Sequence, residues 1–211
     1  MAGQPARPSM RLFSYIVTQD TGFAPNPFWG YCTLATCKPV ICRTASSGDW
    51  IVGLTPKENG HKVVYFMQVQ EVLPIAEYFR NQRFSRKKPD YTTQAVIDKC
   101  GDNIYQPLSN GGFRQLRSQH SNGTEENLAK KAHDLSGVNV LISQRFVYFG
   151  SEARQLTAEF DGIKAGHGHR CRFPDALVAG FLRFAAQFKS GVRAAPSKWP
   201  SGDLSWRQGS A

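Results

Sequence analysis

The run KVVYFMQVQEV, residues 62–72, constrains the fold more than any other stretch of this chain. Its β-branched and aromatic residues read as one long strand. A polar, glycine-containing turn, TPKENGH, precedes it, and GDWIVGL, residues 48–54, reads as a turn followed by another strand. MRLFSYIVT, beginning at Met10, and YCTLAT, ended by Pro39, add two more, and HDLSGVNVLISQRFVYFG, residues 133–150, has strand character in two pieces. Helical signals are fewer. PIAEYFRNQ is opened by Pro74 and carries Ile75, Tyr78 and Phe79 on one face. SEARQLTAEF reads as a short helix capped by Ser151, and PDALVAGFLRFAAQFKSG as an amphipathic helix ending at Gly191. This order predicts an α+β domain built on a small, mostly antiparallel sheet, curled or closed into a barrel, with flanking helices.

A chain of 211 residues suits a single such domain. Residues 1–9 read as a disordered leader, 10–200 as the domain and 201–211 as a tail. Within the domain, 10–80 and 133–150 form the expected core, 81–132 an irregular insertion rich in Gly, Asn, Ser and Gln, and 151–190 the C-terminal helices. The most apolar run, ALVAGFLRFAAQF, is broken by Arg183 and too short to span a bilayer, and no apolar signal segment follows Met1. A cytoplasmic protein without a membrane partner is the expectation. The formal charge of +10 favours polyanionic partners.

Five stretches could carry chemistry. CTLATCKPVIC places Cys32, Cys37 and Cys42 at steps of five, which does not make the close thiolate pair of structural zinc. On one strand Cys32 and Cys37 would face opposite sides, so the cysteines read as packed wall, and neither metal nor cofactor is expected. GHGHRCRF sets His167 and His169 two apart, with Arg170 and Arg172 as donors suited to phosphate. GDNIYQP offers Asp102, Asn103, Tyr105 and Gln106 within a few positions, amides and a ring that can read and stack on a base. FAPNPFWGY gathers Trp29 and Tyr31 with two phenylalanines in a proline-stiffened loop, and RNQRFSRKK is a basic strip including Arg80, Lys87 and Lys88.

Taken together, RLFSYIVTQDTGFAPNPFWGYCTLATCKP, GDWIVG, GDNIY and LISQRFVYFG resemble the nucleotide modification associated domain families, closest to the second type. That resemblance implies an association with modified nucleotides in bacterial or viral base-modification systems, without a defined reaction. A looser similarity in element order, from the leading strand through GDWIVG to PIAEYF, links the chain to PUA-like domains of the EVE and ASCH kind. Those domains imply a concave, aromatic-lined cleft for modified bases or RNA.

Three functions follow as expectations. In the first, the chain binds DNA or a modified nucleotide. Trp29, Tyr31, Asn103, Tyr105 and Gln106 would contact the base, and Arg80, Lys87, Lys88, Arg145, Arg170 and Arg172 would hold phosphate. In the second, it is an enzyme with Asp102, His120, Asp134, His167 and His169 as acid/base groups or metal ligands. In the third, it is an accessory subunit that contacts proteins of a base-modification or phage-defence system through its aromatic loop or the tail around Trp199 and Trp206.

Overall fold

The computed structural model describes residues 10–166 and 168–200. In chain order its elements begin with β1 (Leu12–Ile16), β2 (Cys32–Leu34), α1 (Pro39–Thr44), β3 (Trp50–Leu54), β4 (Val63–Gln68), β5 (Glu71–Pro74) and α2 (Ile75–Arg80). There follow β6 (Tyr105–Pro107), β7 (Phe113–Gln115), α3 (Leu128–Leu135), β8 (Asn139–Ser143), β9 (Phe146–Tyr148), β10 (His169–Arg170), α4 (Asp175–Ala185) and β11 (Gly191–Val192). The strands form a six-stranded sheet in the order β10-β1-β3-β4-β9-β11, a three-stranded sheet β2-β8-β5 and the hairpin β6-β7. All pairings are antiparallel except β1 with β3 and β9 with β11. The α+β class therefore holds, but the sheets do not close. The six-stranded sheet ends on two different two-residue edge strands rather than on itself.

The long run at 62–72 is two strands in two sheets. It turns at Val69 and Gln70, where Gly48 N–H donates to the Val69 carbonyl and Val69 N–H to that of Asp49. The run at 139–148 changes sheets at the same corner. Gln70 Oε1 clamps the two crossings together by accepting the N–H groups of Gln144 and Arg145 at 2.6 and 3.1 Å. Strand propensity marked both runs; the corner depends on a side-chain bond between distant residues.

The large sheet is buried on both faces. Leu12, Trp50, Val52, Phe66 and Val147 meet α4 on one side, where the Phe181 ring lies 5.8 Å from Phe66. Phe13, Tyr15, Ile51, Tyr65 and Met67 face α1 and the smaller sheet on the other. This is the period-two alternation of a strand with apolar residues on both sides.

Two helical expectations are corrected. The SEARQLTAEF segment holds only 3-10 turns, Gly150–Glu152 and Ala158–Ile163, because Arg154 exchanges two backbone hydrogen bonds with Val63 and is drawn out straight. The last helix stops at Ala185, and Gly191, at φ 127°, instead starts a strand beside β9. Two helices were not anticipated: α1, opened by Pro39, and the polar α3, whose Asn127 side chain caps it by accepting the Lys130 N–H. Among the described residues no helix is long and apolar enough to cross a membrane.

Candidate active site

Between β2 and α1 the chain makes a three-residue turn centred on Cys37. Lys38 N–H donates to the Thr36 carbonyl at 2.8 Å, and Cys37 has φ 68°. A γ-turn of this hand is rare and strained for a residue with a side chain, at a cost of about 1–3 kcal/mol. The turn is held by a distant group: Asp134 Oδ1, on α3, accepts the Cys37 N–H at 2.9 Å. The strand has ended three residues earlier, at Leu34, so the alternation that makes wall of Cys32 does not reach Cys37.

The turn presents the Cys37 sulfur to His120, with Sγ 3.3 Å from Nε2. The Thr36 hydroxyl also points at this sulfur, at 3.7 Å. The far ring nitrogen of His120, Nδ1, lies 2.6 Å from Asp134 Oδ2 and donates to that carboxylate. Tyr105 Oη donates to the same oxygen at 2.7 Å. The His120 loop is pinned as well: its N–H donates to Ser118 Oγ, and Gln115 Nε2 donates to its carbonyl. Thiol, imidazole and carboxylate thus lie in a hydrogen-bonded line, the geometry of an activated nucleophile with an oriented base. The three are strung out rather than gathered around a point, as metal ligands would be.

Burial alone would push the His120 imidazole down. The Asp134 hydrogen bond and the Cys37 sulfur outweigh it and raise the pKa to about 9. The ring is thus charged at neutral pH beside the Cys37 sulfur. By contrast, burial pushes the Cys32 and Cys42 thiols well up, and both sit in the core.

Cys37 and His120 open onto a cavity of about 380 Å³, whose wall includes Tyr15, Thr18, Gln19, Phe23, Lys38, Gln119, Lys130 and His133. A second cavity shares Lys38 with it, and a third shares Cys37, Lys38 and His133. Among the described residues no Asp or Glu lines any of the three. Burial draws the Lys38 amine below its ordinary value, and the amine lies 4.9 Å from the Tyr15 ring centre. The buried Gln119 Nε2 has no hydrogen-bond partner among the described residues.

The remaining candidates scatter. Asp102 is buried, accepting from Thr33 Oγ1 at 2.6 Å and Tyr78 Oη at 2.7 Å. Asn103 spends its amide on the Tyr78 and Phe84 carbonyls. Lys87 is no surface cation: it is 1% exposed, and its ammonium donates to Asn26 O, Asn26 Oδ1 and Tyr31 O. Trp29 and Tyr31 are half-buried, the first beneath Arg86 at 5.6 Å and the second edge-on to Phe84. Gln106 sits in the β6-β7 hairpin opposite Arg114. His169 lines the third cavity, its imidazole pKa lowered by burial and by Lys38. Arg170 bonds the Gly162 carbonyl, Arg145 reaches Gln68, Lys88 lies over Phe79, and Arg80 and Arg172 are exposed elsewhere. His167 and Trp206 lie outside the described residues.

A family model described as nucleotide modification associated domain 2 matches residues 9–203. The chain belongs to this family. No curated protein and no solved structure matches it. For this member of the nucleotide modification associated domain 2 family, the groups brought together are therefore His120, Asp134 and Tyr105 from the sequence expectations, joined by Cys37. The sequence did hold a signal for Cys37. In TCKP, Pro39 marks the first turn of a helix, which puts the cysteine in the turn before it.

Proposed function

We propose that the chain is a cysteine-dependent enzyme acting on an anionic, nucleotide-bearing substrate by acyl transfer. The observation that carries this reading is the line Cys37–His120–Asp134 ending in a cavity whose charged wall residues are all cationic. In the first half-reaction the Cys37 sulfur lends its electron pair to a carbonyl carbon and an S–C bond forms. The bond from that carbon to the leaving nitrogen or oxygen breaks, and the leaving atom takes the proton from His120 Nε2. In the second, water or an amine attacks the thioester, gives its proton to His120 and releases the sulfur. Asp134 keeps the ring oriented and stabilises its charged form. Gln119 Nε2 is the donor available to the developing oxyanion. The family description, which names an association with nucleotide modification, supports the nucleotide part of this reading.

The test is a burst assay with p-nitrophenyl acetate. The intact chain releases about one equivalent of nitrophenolate quickly, with acetyl found on Cys37 by mass spectrometry, and Cys37→Ser releases none. Acetylation spread over surface lysines, with no burst, would end the reading.

Nucleic-acid binding is favoured separately by cations laid over half-buried rings: Arg86 over Trp29, Lys88 over Phe79 and Arg117 over Tyr91. Such pairs suit an unpaired strand.

A further inference from the structure

We infer that the thiol site takes a single-stranded nucleic acid, seated across two adjoining compartments, rather than a free nucleotide. This rests on the cysteine-enzyme reading for what happens at Cys37, but the binding it predicts is measured independently. The cavity at Cys37 shares Ile16, Thr18 and Lys38 with a second one of about 480 Å³. Each is within the size range that holds one small-molecule unit, roughly 300–1,000 Å³. One nucleotide therefore leaves the second compartment empty.

The two compartments differ in a way that suits successive nucleotides. The first is polar, with Thr18, Gln19, Thr21 and Gln119 in its wall. The second offers Ile16, Pro56 and Ala165 as an apolar wall for a base, with Lys57 also in its lining. Lys38 stands at the waist between them, where the phosphate joining two nucleosides would lie. The His61 ring belongs to the same wall, and its buried Nδ1 has no partner among the described residues.

The run of compartments is longer still. A third cavity of about 340 Å³ shares Cys37, Lys38 and His133 with the first and Lys38 and Gly168 with the second. Three adjoining compartments exceed what one monomer fills and suit a continuous chain. A duplex would have to extrude a nucleotide to reach the sulfur, which favours an unpaired strand.

The experiment measures fluorescence anisotropy of labelled dT8 on the full chain, competed by unlabelled dT8, rU8, dT2 and dTMP over a salt series. The expected result is dT8 or rU8 binding at least tenfold tighter than dTMP, with affinity falling as salt rises. Lys57→Glu costs dT8 at least tenfold and dTMP less than threefold. Bound dT8 also slows alkylation of Cys37 by iodoacetamide. Equal affinity for dTMP and dT8, or a Lys57→Glu variant that binds dT8 normally, overturns the inference. Tight dT8 binding without an acetyl-enzyme burst would sink only the acyl-transfer reading.

Discussion

Two buried polar networks border the same core cluster on the smaller sheet, one through Tyr78 and the other through Tyr105, and each contains an aspartate that looked like a candidate from the sequence. Around Asp102 the bonds close on themselves. Thr33 and Tyr78 donate to its two oxygens, and Lys87 nearby spends its ammonium on Asn26 and Tyr31. Every charged atom there is buried and engaged, so the network's work is to fasten the 81–104 segment to the aromatic loop. Around Asp134 the bonds run outward instead, through His120 to a sulfur at a cavity wall. A buried carboxylate is therefore uninformative by itself. What separates structure from chemistry is whether its hydrogen-bond chain ends inside the protein or at a reactive atom that a ligand can touch.

The sharpest way to break this contrast is to remove the end group of the outward network. Cys37→Ser abolishes site-specific alkylation by iodoacetamide, a loss of at least 100-fold, while urea unfolding shifts by less than about 1 kcal/mol, since the serine keeps the turn's backbone bonds. The closed network behaves oppositely. Lys87→Met leaves Asn26 O, Asn26 Oδ1 and the Tyr31 carbonyl without their ammonium donor and costs about 3–5 kcal/mol in urea unfolding. Cys37 in the folded fraction of that variant still alkylates within twofold of the parent rate. A smaller effect follows from Asn103→Ala, which strips the Tyr78 and Phe84 carbonyls of their donor and lowers stability by about 1–3 kcal/mol.

The smallest effect is in pH. The folded state raises the His120 pKa above the unfolded value of 6.5, to about 9. Its contribution to stability is therefore fully present below pH 6.5 and is lost as pH rises through about 9. Unfolding curves of the parent and His120→Gln, compared at pH 6 and pH 10, converge by about 1–2 kcal/mol at the higher pH. Divergence at the higher pH would mean that His120 is held neutral.

Much of the sheet was legible because its signal is local. Leu12–Ile16, Trp50–Leu54 and the two pieces at 139–148 carry their strand character in their own composition. The corner at Gln70 was not legible, since it depends on bonds to Gln144 and Arg145 from across the chain. Nor was the extended stretch at Arg154, where pairing with Val63 overrides local helix propensity. The site divides the same way. His120, Asp134 and Tyr105 stood out by residue type, but nothing in their spacing ties them to one another or to Cys37. The even steps of Cys32, Cys37 and Cys42 suggested equivalence, whereas the backbone treats them differently: strand, strained turn and helix. Lys87, counted by charge as a surface cation, is inside because Asn26 and the Tyr31 carbonyl are there to receive it.

The central claim is that His120, held by Asp134, activates Cys37. The most direct measurement is the rate of Cys37 alkylation by iodoacetamide from pH 5 to pH 10, followed by mass spectrometry, in the parent chain and in His120→Gln. The account predicts that at pH 6 the parent sulfur reacts at least tenfold faster than that of His120→Gln, because the His120 ring lies 3.3 Å from it. If both proteins instead follow one curve, Cys37 is an ordinary cysteine and the account is wrong.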